Sequence, residues 1–220
     1  MSDKEKYRGQ LLQDQFIDQV FNRKRGGTYL DIGSHDGYNL SNTYFLEYER
    51  DWTGVLIEPM EDEFLKSKIF RKADSNKFFN TAVADYEGTS VFRKIVGGSE
   101  GLNMISGLVE NLDPKHINRI RDEATSGCGE IVDIEVPVRT LQSILDECGI
   151  YSFDFCSLDT EGSELPILKG IDWGKVDISI FIIENNYGIE KEITPYLEDK
   201  GYMRWGYLSW DVVYRKKDLF

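Results

Sequence analysis

The feature that most constrains this chain is a set of short, continuous apolar runs, each closed by a carboxylate. Residues 28–32, 54–57, 153–158 and 178–183 are such runs. They stop at Asp31 with Gly33-Ser34-His35-Asp36-Gly37, at Glu58, at Asp159 with Glu161, and at Glu184 with Asn185. Apolar runs this short, bounded by turn formers, read as strands buried on both faces, and such strands belong to parallel sheets covered by helices. The segments between them agree. Leu12, Phe16 and Val20 recur every four residues, with Leu11, Ile17 and Phe21 beside them, so residues 1–26 hold an amphipathic helix ended by Gly26-Gly27. Residues 41–48 and 62–70 also read as helical, and Thr140 is placed to cap a helix that runs to Cys148.

Further strands are expected at 78–83, 89–95 and 131–138, and a strand pair around a short turn at 202–208 and 211–215. Residues 97–130 break the rhythm; they are glycine-rich, with a possible helix over 114–124, and read as an insertion over one sheet edge, near the second substrate. The expected architecture is an α/β fold with a mostly parallel seven-stranded sheet, one antiparallel edge strand and helices on both faces. Residues 1–220 read as one domain, without repeats, linkers or low-complexity tracts.

Composition removes several classes of function. With 26 Lys and Arg against 39 Asp and Glu, the net charge is -13. That argues against a nucleic-acid backbone or an anionic membrane as main partner. The cysteines Cys128, Cys148 and Cys156 show neither zinc-ligand spacing nor a disulfide framework. No run reaches the roughly 20 apolar residues of a membrane span, and the first residues carry no apolar signal core, so a soluble, cytoplasmic protein is expected.

In open α/β sheets, ligands bind beyond the carboxyl ends of the strands. The acidic stops therefore mark the candidate site. Gly33 and Gly37 permit a tight turn and close backbone approach, but their spacing is not that of a dinucleotide loop, and Asp31 and Asp36 would repel a pyrophosphate. Glu58 is placed to accept hydrogen bonds from a ribose diol. An adenosine with a cationic amino-acid tail suits both, and S-adenosylmethionine is such a ligand.

The same residues carry a family resemblance. The run from Tyr29 to Gly37, then Ser41-Asn42-Thr43, Leu46-Glu47, Trp52-Thr53-Gly54 and Ile57-Glu58-Pro59, resembles the first half of FkbM-type methyltransferases. Val138-Arg139-Thr140-Leu141, Asp154-Phe155, the run from Ser157 to Glu164, and Leu168-Lys169-Gly170 resemble the second half. The resemblance implies a Rossmann-like class I methyltransferase fold, S-adenosylmethionine as donor, and O-methylation of a sugar, nucleotide-sugar or other small hydroxylated acceptor. It places Asp31, Gly33, Ser34 and Gly37 on the methionine part of the cofactor and Glu58 on its ribose. Residues 82–85, including Ala84 and Asp85, would follow the adenine, and Asp159 would stand on the substrate side. The role of Asn42 stays open.

For proton removal the candidates are Asp159, Glu161 and His35. By analogy with catechol-type methyltransferases, Asp159, Glu184 and Asn185 could instead hold Mg²⁺, although those enzymes carry Asp where Glu184 stands. His116 and Tyr187 are candidates for the acceptor wall, with a surface position the plainer reading of His116. Trp205, Tyr207 and Trp210 read as core or edge packing. The rival classes are a nicotinamide-dependent oxidoreductase, which lacks its third glycine here, and a catalytically inactive nucleoside-binding module of the same fold.

Overall fold

A computed structural model of the chain describes residues 6–72 and 74–219. Its main sheet is built from β1 (Thr28–Ile32), β2 (Thr53–Ile57), β3 (Lys77–Phe79), β8 (Ser152–Leu158), β9 (Asp177–Ile183), β10 (Tyr202–Leu208) and β11 (Asp211–Lys216). Their spatial order is β10-β11-β9-β8-β1-β2-β3. Pairing is parallel from β3 through β9, and β11 runs antiparallel to both β9 and β10. The antiparallel edge is thus a hairpin, with β10 outermost.

The strand faces follow the period-two rule. Leu30, Ile32, Leu158, Phe181 and Ile183 point to one side. There they meet Leu141 and Leu145 of α5 (Leu141–Cys148), Leu165 and Leu168 of α6 (Glu164–Lys169), and Leu197 of α7 (Glu190–Asp199). Tyr29, Leu56, Phe155, Ile180 and Ile182 point the other way, onto Ile17 of α1 (Gln13–Val20) and Phe45 and Leu46 of α2 (Tyr44–Arg50). Both faces are covered, as continuous apolar strands require. Thr140 caps α5 by accepting from the Ser143 amide at 3.2 Å.

The expected strand over 78–83 is two strands in two sheets. After β3 the chain turns at Asn80, whose amide donates to the carbonyls of Glu58 and Pro59 at 2.9 and 3.0 Å. It then enters β4 (Ala82–Ala84), which pairs with β7 (Glu130–Thr140) in a four-stranded sheet ordered β4-β7-β5-β6. In that sheet β5 is Gly88–Val96 and β6 is Gly107–Leu108. Side-chain hydrogen bonds at a non-glycine, non-proline turn left no mark in the apolar pattern. Between β5 and β7 lies α4 (Pro114–Ser126), started by the Asp113 cap and Pro114. α3 (Glu61–Phe70) links β2 and β3. Among the described residues no helix is long and apolar enough to cross a membrane.

Candidate active site

A cavity of about 340 Å³ opens over the carboxyl ends of β1, β2, β8 and β9. Asp31, Gly33, Ser34, His35, Asn42, Glu58, Asp159, Glu161 and Glu184 all line it. Gly33 has a φ of 82°, and a Cβ there would lie 1.8 Å from the carbonyl oxygen of Asp159. Only glycine lets the β1 loop pass under the β8 loop at that distance.

Glu58 is nearly fully buried. The amides of His35 and Met60 donate to its Oε2 and Oε1 at 2.9 and 2.8 Å, which fixes the carboxylate toward the cavity. Burial outweighs those hydrogen bonds and raises its pKa to about 7. Beside it the wall is apolar: Ile57, Met60, Ala82, Val83, Phe92 and Leu108.

At the other end stand Asp159, Glu161 and Glu184, whose carboxylate oxygens lie within 4.8 Å of one another. All three pKa values are raised, first by loss of water; the next cause is the charge of Asp211 at Asp159, and the charge of Asp159 at Glu161 and Glu184. Glu161 sits at a φ of 58° and accepts from Asn186 Nδ2 at 2.5 Å. Glu164 holds the preceding turn, accepting from the amide and hydroxyl of Thr160 at 2.9 and 2.8 Å. Two buried oxygens here have no hydrogen-bond partner among the described residues, Glu184 Oε2 and Asn42 Oδ1. Buried polar atoms are rarely left so, and both lie where a ligand would complete them.

Four of the expected site residues lie elsewhere. Gly37 packs on α3, where a Cβ would meet Ser67 and Arg71 at 3.0 and 3.1 Å. Ala84 is buried in β4 and Asp85 is exposed beyond it, so the cavity wall on this strand is Thr81, Ala82 and Val83. Asn185 accepts from the Glu190 amide at 2.9 Å, at the start of α7, and is absent from the cavity lining, where Glu161 stands with Asp159 and Glu184.

His35 also differs from a free base. Burial disfavours its charged form, but Asp36, Glu63 and Glu58 outweigh that and raise its pKa. Its Nε2 lies 3.2 Å from Asn103 Oδ1, tying the β1 loop to the segment after β5. His116, read either as an acceptor-wall residue or as a surface helix position, is buried; Nε2 donates to the Ile105 carbonyl at 2.9 Å and Nδ1 faces Tyr187 Oη at 3.2 Å. Tyr187 itself stands outside the cavity lining, whereas Arg119 of α4 lines it, 4.0 Å from Glu161.

One group escaped sequence reasoning. Arg71, fully buried, donates to Glu47 Oε2 at 2.6 Å, Tyr29 Oη at 2.7 Å and Thr43 Oγ1 at 3.0 Å. Thr43 in turn donates to Asp31 Oδ2 at 2.5 Å. Asp31 is thereby held from behind by a cation one hydroxyl away. Its only signal was charge inside apolar-patterned segments.

Residues 31–203 match the model of the methyltransferase FkbM domain. Methyltransferase sdnD of Sordaria araneosa is 30% identical over 95 residues, a match covering 38% of this chain and 37% of that protein. A protein described as an RNA methyltransferase from Pyrococcus horikoshii superposes with a TM-score of 0.46 at 7% identity, covering 94% of this chain and 82% of its own. Precorrin-6y C5,15-methyltransferase from Geobacter metallireducens gives 0.40 at 10% identity, over 92% and 87%. With its matched domain spanning the cavity from Asp31 to beyond Glu184, the chain belongs to the FkbM methyltransferase family.

Proposed function

We propose that the chain methylates a hydroxyl oxygen of a small acceptor of the sugar type, using S-adenosylmethionine. The observation that carries this reading is one cavity with the buried carboxylate Glu58 beside an apolar wall on the β2 side and a carboxylate trio on the β8 and β9 side, with Asp31 of β1 between them. The residues present fit the cofactor. Gly33 leaves room no other residue would leave, and Glu58 offers acceptor oxygens for a diol. Bound there, S-adenosylmethionine supplies a methyl group activated as an electrophile.

The chain's own part is binding and proton management. Glu58 would accept from the ribose hydroxyls, and the wall from Ile57 to Val83 would enclose the base. An acceptor hydroxyl loses its proton as its oxygen is methylated, and a carboxylate of Asp159 or Glu161 is placed to take it. Their raised pKa values make them better proton acceptors than ordinary carboxylates when ionised. The second version of this step rests on the unpartnered Glu184 Oε2. Oxygen donors of this kind suit Mg²⁺, which Asp159, Glu161 and Glu184 would hold and which would lower the hydroxyl pKa.

The test is methyl transfer from labelled S-adenosylmethionine to a panel of methyl pyranosides and nucleotide sugars, run in EDTA and then with added Mg²⁺. Transfer to oxygen is expected, and Asp159→Asn is expected to abolish it while cofactor affinity stays within a few fold. Equal rates in chelator and in Mg²⁺ remove the cation version. No transfer to any panel member, with S-adenosylhomocysteine bound, would favour the inactive module.

A further inference from the structure

The chain has four tryptophans, and three of them are engaged. Trp52 is buried, donates from Nε1 to the Lys24 carbonyl at 2.8 Å and packs edge-on against Phe21. Trp173 packs against Phe181, Tyr196 and Tyr202 and donates to Tyr196 Oη at 3.2 Å. Trp205 packs edge-on against Phe16 and lies under the Arg215 guanidinium. Trp210 has no ring partner and no indole hydrogen bond among the described residues. It is 46% exposed, and it lines the cavity.

Its position is held firmly. Trp210 sits in the turn between β10 and β11, after Ser209 at a φ of 56°. The next residue, Asp211, is buried and accepts from Gln13 Nε2 at 2.8 Å, which pins the turn to the start of α1. Asp211 is close enough to Asp159 for its charge to be felt there. Strand order separates this turn from the nucleoside end: β11 neighbours β9, and Glu58 follows β2, four places along the sheet. At about 4.8 Å per strand that is roughly 19 Å. Leu40, 47% exposed at a φ of 53°, lines the same cavity. A leucine in the left-handed region and in water has neither backbone nor burial to recommend it.

We infer that Trp210 and Leu40 form the acceptor subsite, a platform on which the C–H face of a neutral pyranose ring rests beside the carboxylate trio. This rests on the methyltransferase reading of the cavity. An indole face and an aliphatic side chain offer apolar area for one face of a ring, while the carboxamide of Gln10, which also lines the cavity, suits its hydroxyl edge. The acids around the cavity favour an uncharged ring over an anionic one.

The test uses saturation-transfer NMR of methyl α-D-glucopyranoside with the full chain, with and without S-adenosylhomocysteine. Saturation is expected to reach mainly the ring C–H protons. Trp210→Ala should weaken pyranoside binding about fivefold, Trp210→Phe should retain most of it, and Leu40→Ala should fall between. S-adenosylhomocysteine affinity, read by calorimetry, should be unchanged in Trp210→Ala. Undetectable pyranoside binding to the unmodified chain, or equal binding to Trp210→Ala, overturns the subsite. An equal loss of S-adenosylhomocysteine affinity in that variant overturns its placement on the acceptor side. If the unmodified chain binds no S-adenosylhomocysteine, the cofactor reading fails, and the pyranoside measurements without it still decide the platform.

Discussion

At the scale of single residues, Glu58 and Arg71 illustrate two uses of a buried charge. Glu58 is oriented by two backbone amides and keeps acceptor capacity toward the cavity. Glu58→Ala removes hydrogen bonds to a charged group, about 1.5–3 kcal/mol, so S-adenosylhomocysteine affinity should fall roughly tenfold or more by calorimetry. Unchanged affinity would remove Glu58 from the site. Arg71 is a different case, because its guanidinium is spent entirely on the protein. Arg71→Met leaves the Glu47 carboxylate buried and unpaired, which costs about 3–5 kcal/mol. Urea unfolding should show that loss as a lower midpoint, and a midpoint near that of the unmodified chain would mean that Glu47 finds another partner.

Secondary-structure elements deliver these side chains through their ends. α5 begins at Thr140, whose hydroxyl accepts from the Ser143 amide and donates to Glu87 Oε1 at 3.1 Å. The cap therefore joins α5 to the turn before β5. Thr140→Ala should lose about 1 kcal/mol in denaturant titrations with the m-value unchanged. A loss near zero would show that water caps the helix equally well. The element boundaries were largely legible: β1 and β10 fall where the sequence places them, and β2, β8, β9 and β11 differ by one residue at one end. The break at Asn80 was not, since it depends on carbonyls contributed by residues 58 and 59.

For the molecule as a whole, the cavity acids couple ligand chemistry to stability. A carboxyl whose pKa is raised by folding keeps its proton when the unfolded chain has lost it. Its contribution is fully present below an unfolded pKa of about 4 and is lost as pH rises through the folded value. That value is about 7 for Glu58, and Asp159, Glu161 and Glu184 are raised as well. Asp36 has the opposite sign, with its pKa lowered to about 2, so its change falls at lower pH. Tm should therefore decline from about pH 5 to about pH 8, by several degrees for a chain of this size. Glu161→Gln should flatten the decline. A Tm that rises over this window would show that the carboxylates are already neutralised by partners in solution.

The sequence alone determined the layered α/β architecture and the rim of acids, because apolar strand length and the residue that ends a strand are local properties. Asp31, Gly33, Glu58, Asp159 and Glu184 were legible for that reason. Tertiary structure alone decided which acids meet. Glu161 reaches the trio because its backbone turns into the left-handed region, while Asn185 accepts from the first amide of α7. It also decided that Arg71 lies behind Asp31 and that Trp210 faces the cavity instead of the core. Those outcomes depend on contacts between residues far apart in the chain, and periodicity carries no information about which distant side chain will be there.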